Sequence, residues 1–233
     1  MKRLILGLVV PLAFLGGMFI ERVRPTPPAP NENLPFSSII ETTTGHRILP
    51  CVPETDPETR SVLDFLGANL PGLLSHFNKD DSPTNGLRRI NEASRFFEDR
   101  LIEELSAHPD FTCRPATTTE GKKQRSGYPD LELIHLPSGR TTYLDPKLYE
   151  QTNRNSSLRT FYFEPKTRTS KILTDAHHLI IGIAHDGNDG SWKFLDWTLV
   201  DLSQFRVRLK REYQGSNRDL YREELIVGEG GIR

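Results

Sequence analysis

The sequence predicts a mixed α/β domain with a central β-sheet flanked by helices, preceded by an N-terminal membrane helix. Three observations predict it. Two strand-like runs, "LELIHL" and "RTTYLDPKLYE", flank a Pro-Ser-Gly turn signal in residues 131–150. Residues 85–111 form a long run with apolar positions at helical spacing. Residues Leu4–Ile20 carry no charge over seventeen positions, the short end of what spans a bilayer as a helix.

The chain has 233 residues, 36% of them hydrophobic and 26% charged, which suits one mid-sized folded domain with attachments and excludes a disordered chain. The formal net charge of −1 leaves no bulk basic character, so contact with a nucleic acid has to come from a local patch. Basic clusters occur at 114–125, 164–171 and 206–211. The two cysteines, Cys51 and Cys113, lack C-x-x-C spacing, which argues against a zinc site built on thiolates. Whether they pair is a question of distance. The chain shows no P-loop, dinucleotide fingerprint or serine nucleophile elbow.

In chain order, residues 1–23 read as the anchor. Lys2 and Arg3 precede the apolar run, and Glu21, Arg22 and Arg24 follow it. A cleaved signal peptide, and so a secreted protein, is the alternative, but no small-residue cleavage pattern follows. The charges on the two sides nearly balance, with a slight preference for the body lying outside the cytoplasm. Residues 24–35, "RPTPPAPNENLP", read as an extended Pro-rich linker, and residues 36–233 as the main domain with its core starting near 56.

Asp56-Pro57 opens a helix, and Pro71-Gly72 is expected to break it. In residues 85–111, Leu87, Ile90, Phe97, Leu101 and Leu105 mark one helical face, with Glu98 and Glu104 about 60° to either side. A polar loop is expected at 114–127, followed by the hairpin. "HHLIIGIAH" reads as a buried strand, and residues 188–205 as a turn and a further strand. "DLSQFRVRLKREY" is expected to be a basic-faced helix.

The hairpin carries the chemistry. Side chains alternate along a strand, so Tyr143, Asp145, Lys147 and Tyr149 share one face, and Leu144, Pro146 and Leu148 the other. Pro146 cannot donate to a ladder, so the strand has to be at an edge, bulged or ending there. A Ser-Gly hairpin brings Asp130, at the start of the first strand, beside Asp145. Two adjacent carboxylates repel unless a cation or a proton lies between them. A hard divalent cation accepts such oxygen ligands, and a lysine on the same face can orient water or stabilise charge on a phosphate.

This pattern, Pro129-Asp130 followed by Asp145-x-Lys147 at the end of a hairpin and preceded by an acid-bearing helix, resembles the PD-(D/E)XK nuclease superfamily over roughly residues 85–200. The resemblance implies a restriction-endonuclease-like core and a Mg²⁺-dependent endonuclease, with Mn²⁺ as a substitute, that hydrolyses phosphodiester bonds in DNA. It implies Asp130, Asp145 and Glu98 as metal ligands and Lys147 as the residue assisting water, with Glu104 the rival of Glu98 and Gln151 a helper. Pro146 departs from the apolar residue usual at that position. Arg159, Lys166 and Lys171 are candidate phosphate contacts, with Arg168 in the same segment. With the anchor, the expectation is a membrane-tethered DNA endonuclease. The alternative is a catalytically silent module of the same fold that binds nucleic acid or a partner protein. A His-Asp phosphohydrolase site at His185-Asp186 is disfavoured, because those enzymes place the pair on helices.

Overall fold

A computed structural model describes residues 33–124, 126–157, 160–166, 168–209 and 216–227, which belong to one compact unit, Glu32–Arg233. Strand β1 (Asn33–Pro35) leads into α1 (Phe36–Thr44), α2 (Pro57–Phe77) and α3 (Ser94–Ser106). Strands β2 (Phe111–Pro115), β3 (Leu131–His135), β4 (Arg140–Glu150), β5 (His177–His185) and β6 (Phe194–Asp201) form a five-stranded sheet in sequential order. The β4–β5 pair is parallel and the others are antiparallel, so the sheet is mixed. A short β7 (Arg206–Arg208) pairs with β1.

Alternation along the strands divides the sheet into two faces. Leu131, Leu133, Leu144, Leu179, Ile181 and Ile183 pack with α2 and α3 through Leu66, Leu70, Phe77, Phe97 and Leu101. Tyr143 faces the other way, into a second cluster with Phe36 and Ile40 of α1, Tyr128 and Ile172.

Several elements depart from the sequence-based expectations. Helix α2 continues through Pro71 to Phe77. Proline removes one helical hydrogen bond at a cost of about 3 kcal/mol. Burial of Leu70, Leu73, Leu74 and Phe77 around it offsets that cost, at about 1.5–3 kcal/mol for each large apolar side chain. The run at 85–111 contributes a 3-10 turn, Ile90–Ala93, before α3 rather than one long helix. No helix forms at 201–208: a 3-10 turn at Leu202–Gln204 is followed by β7, because Val207 and Phe205 pack on the second cluster. Strand β2 and helix α1 are further elements beyond those the sequence pattern predicts. Phe111 and Cys113 alternate inward on β2, and Phe36 and Ile40 lie four apart on the buried side of α1.

The fold class with a membrane helix in front is corrected. The architecture is a mixed α/β domain on a five-stranded sheet, and no helix among the described residues is long and apolar enough to cross a membrane. The apolar segment Leu4–Ile20 lies outside the described residues. Asn33–Pro35, the end of the expected linker, is the strand β1.

Candidate active site

The register of β3 and β4 builds the site. Their last pair is Leu131 with Leu144, so Asp130 and Asp145 are the next residues of the two strands beyond it, followed by Pro129 and Pro146. Neither proline has an N–H to give, and the ladder stops there. From Asp145 onward β4 has only β5 as a neighbour, with Pro146 beside Ile181 and Lys147 beside Gly182. The strand is interior up to Leu144 and an edge beyond it, which is how it tolerates Pro146. The same ending frees the backbone around the acids from sheet pairing on one side.

Lys147 Nζ lies 2.6 Å from Asp145 Oδ2 and 3.6 Å from Asp130 Oδ2. Asp145 is 2% exposed, and its Oδ2 makes no aligned hydrogen bond among the described residues, so the ammonium contact is an ion pair without good hydrogen-bond direction. Burial, then the Asp130 charge, push the Asp145 carboxyl up to about 8, against the opposing pull of Lys147. Burial works against the charge on Lys147, but the two acids outweigh it and hold the ammonium above its usual range.

Lys171, expected to face DNA phosphates, is instead 3% exposed and donates to the Gln124 carbonyl at 3.0 Å. Burial lowers its basicity, and the charges of Asp130, Asp145 and Glu98 raise it in part. The buried ammonium therefore lies in the field of all three acids. Lys166 is exposed and pairs with Glu164 at 3.2 Å, and Arg159 lies outside the described residues.

Glu98 is half-buried on α3, and α3 packs on the sheet face opposite to Asp145. Its charge reaches Lys171, whereas Glu104 is held by Arg100 at 2.7 Å. Among the described residues no three His, Cys, Asp or Glu side chains converge as a metal cluster. The structure thus brings together Asp130, Asp145 and Lys147, with Glu98 outside that cluster. Gln151 is exposed, and its amide points to Asp196 at 3.5 Å rather than to the acids.

Two carboxylates still fit a magnesium ion, which keeps several waters and uses one or two protein carboxylates. Asp145 Oδ2, a buried oxygen with no aligned donor, is the kind of ligand such an ion satisfies.

A layer of polar side chains supports the site. Tyr128 hydroxyl and His178 Nδ1 are 2.7 Å apart, and His178 is fully buried, its basicity pushed down to about 3 by burial and then by His177. Glu132, buried on the same face as Asp130, pairs with Arg114 across the β2–β3 ladder. His177 joins the Thr59 hydroxyl and the Leu49 carbonyl, a structural role. Sequence patterning alone did not assign Tyr128 or Glu132. Their signal was strand alternation, which sets Glu132 on the face of Asp130 and Asp145. Cys51 and Cys113 are both free thiols, each pushed up to about 12 by burial first and then by nearby acids.

Beside Lys147, on the face carrying Tyr149 and Ile180, lies a cleft of about 310 Å³.

Comparison with known proteins supplies the context for this geometry. A family model described as type II restriction enzyme MjaV family matches residues 29–224. A curated relative, the type II restriction enzyme MjaV of Methanocaldococcus jannaschii, is 28% identical over 218 residues, covering 88% of this chain and 92% of its own length. No solved structure matches. The expected membrane-anchored or secreted localisation, and the membrane as a partner, are corrected by these findings. The matched region is that of a restriction enzyme, and no membrane-crossing helix occurs among the described residues.

Proposed function

Because the chain belongs to the type II restriction enzyme MjaV family, we propose that it is a divalent-metal-dependent endonuclease of the PD-(D/E)XK type that hydrolyses phosphodiester bonds in DNA. The observation that carries this reading is the meeting of Asp130 and Asp145 around the Lys147 ammonium, at 3.6 and 2.6 Å. In this reading the nuclease-like body is residues 36–233.

Asp130 and Asp145 would hold Mg²⁺, or Mn²⁺ in its place, through carboxylate oxygens. When bound, the ion supplies Lewis-acid polarisation of the scissile phosphate and a more acidic water. Lys147 donates to the attacking water or to a non-bridging phosphate oxygen, where negative charge develops. Glu98 lies outside the acid pair and contributes its charge near Lys171, and Lys171 offsets the mutual repulsion of the acids. The Asp145 carboxyl, whose ionisation burial and Asp130 disfavour, is one a cation stabilises in its charged form.

The test is cleavage of plasmid DNA by the full chain with Mg²⁺ or with EDTA. Asp145→Asn and Lys147→Met should each lower the rate about a hundredfold or more. Cleavage that persists unchanged in both variants would sink the assignment. Salt-sensitive DNA binding with no metal-dependent cutting would favour the silent-module alternative.

A further inference from the structure

Lys147 is the point where the acid pair and the neighbouring cleft meet. From Lys147 the cleft runs across β4, β5 and β6, with Tyr149, Phe161, Ile180 and Val200 along it and Arg154 at its side. Its floor is open because position 182 is glycine. A Cβ there would lie 3.4 Å from Tyr149 Cε1 and 3.6 Å from the Thr198 carbonyl, and any longer side chain would grow into the space. Gly182 is the β5 partner of Lys147 in the parallel register, so the opening is directly beside the lysine.

The two cations of this cleft differ. Lys147 is committed to Asp145 and Asp130. Arg154 is exposed at the end of the 3-10 turn Gln151–Asn153, which follows β4 directly, and its guanidinium makes no ion pair or hydrogen bond among the described residues. Its neighbour Asn153 is tied back to Glu150 at 3.0 Å, so the turn is braced while the arginine is left available. The cleft is thus mainly apolar, with the acid–lysine cluster at one end and the Arg154 guanidinium at its side, and it is at the small end of ligand-site volumes. Those features suit one nucleotide: a sugar and base that pack on aromatic and aliphatic groups, one phosphate at the acid–lysine cluster and a second within reach of the Arg154 guanidinium.

We propose that this cleft is the subsite for the nucleotide adjoining the scissile phosphate, with Arg154 binding the next phosphate along the strand. The proposal rests on the DNA-cleaving reading above and adds to it a place for the substrate strand and a direction, from Lys147 toward β6. Charge complementarity selects the occupant: an apolar peptide or a small hydrophobic ligand would leave Arg154 and the Lys147 end unused. A phosphate contact carries no sequence information, so Arg154 sets affinity and register rather than specificity.

The experiment measures binding of a fluorescent duplex, containing a sequence the wild-type enzyme cuts, with Ca²⁺ in place of Mg²⁺ over a salt series. Arg154→Ala is an exposed change that leaves the core untouched. It should weaken binding about tenfold on every duplex tested and lower the slope of log affinity against log salt by about one. Val200→Trp, which fills the cleft at a 41% exposed position, should weaken binding while leaving the salt slope unchanged. Arg154→Ala with wild-type affinity and slope overturns the phosphate contact. So does a relaxed sequence preference with an unaltered slope, which would make Arg154 a reader of base edges. Wild-type binding and cleavage by Val200→Trp overturn the cleft as a subsite. In each of these cases wild-type cleavage survives and only this proposal fails. A wild-type chain that neither binds nor cuts DNA removes the reading beneath it as well.

Discussion

At the scale of single residues, the position of Asp145 is the costly one. A carboxyl 2% exposed, facing another acid, is disfavoured in its charged form and pushed up to about 8 from 3.8. Between those values the folded chain keeps a proton on the acid pair that the unfolded chain has released. Stability therefore falls as pH rises through that window. Asp145→Asn has no such proton to lose. Its stability relative to the wild type should rise between about pH 4 and about pH 8, as read from urea midpoints at a series of pH values. Parallel profiles for the two proteins would show that Asp145 is not held in this state. His178 acts in the opposite sense. It is neutral in the fold and pushed down to about 3, so it contributes stability that is present above its ordinary value of 6.5 and is lost on acidification. The two effects together favour a stability maximum between the acid and alkaline limbs.

Among the elements, α2 and the hairpin depend on each other. Asp56 caps α2, accepting from the backbone N–H groups of Glu58 and Thr59, and it also pairs with Arg140 at the start of β4. Arg140 reaches Glu58 as well, at 2.6 Å. One side chain thus starts a helix and fixes the strand that carries Asp145 and Lys147. Asp56→Ala should cost about 1 kcal/mol through the lost cap, measured by chemical denaturation, with cleavage activity retained under stabilising conditions. A variant as stable as the wild type would mean that water replaces the cap fully. The β3–β4 ladder is the second element-scale device. Its last pair, Leu131 with Leu144, adjoins both acids, and Pro129 and Pro146, which have no N–H to give, lie one residue beyond them.

At the scale of the whole molecule, the sheet separates two tasks. One face packs on α2 and α3 and holds the domain together, and the other carries the acids, Lys147 and the cleft. Phe36 anchors the second face: fully buried, it makes edge contacts with Tyr128, Phe161, Phe163 and Phe205 at ring distances of 5.1 to 6.1 Å. Tyr128 leads into Pro129-Asp130, and Phe161 lines the cleft. Phe36→Ala should therefore cost about 3–5 kcal/mol by denaturation and reduce cleavage more than its loss of folded fraction explains. Activity that tracks the folded fraction alone would confine Phe36 to stability.

Much of this was legible from residues alone. Strand period, the Ser-Gly turn and the Asp-x-Lys spacing are local signals, and they were enough to bring Asp130, Asp145 and Lys147 to one face. Local pattern predicts a break in α2 at Pro71, but the helix continues, because a local breaker is outweighed by burial that only a packed core supplies. The basic segment at 206–208 has a helical pattern but forms a strand, because its pairing partner lies at residues 33–35, far away in sequence. The burial of Lys171 is not legible in the sequence, since no local pattern tells a buried lysine from an exposed one; the carbonyl of Gln124 and the field of three acids decide that. By itself the sequence determined a mixed α/β chain and the acid–lysine trio, because short-range periodicity and register encode both. The tertiary structure alone decided which cation is buried, which is open to a ligand and where the cleft lies. Those properties depend on what non-local segments exclude from water.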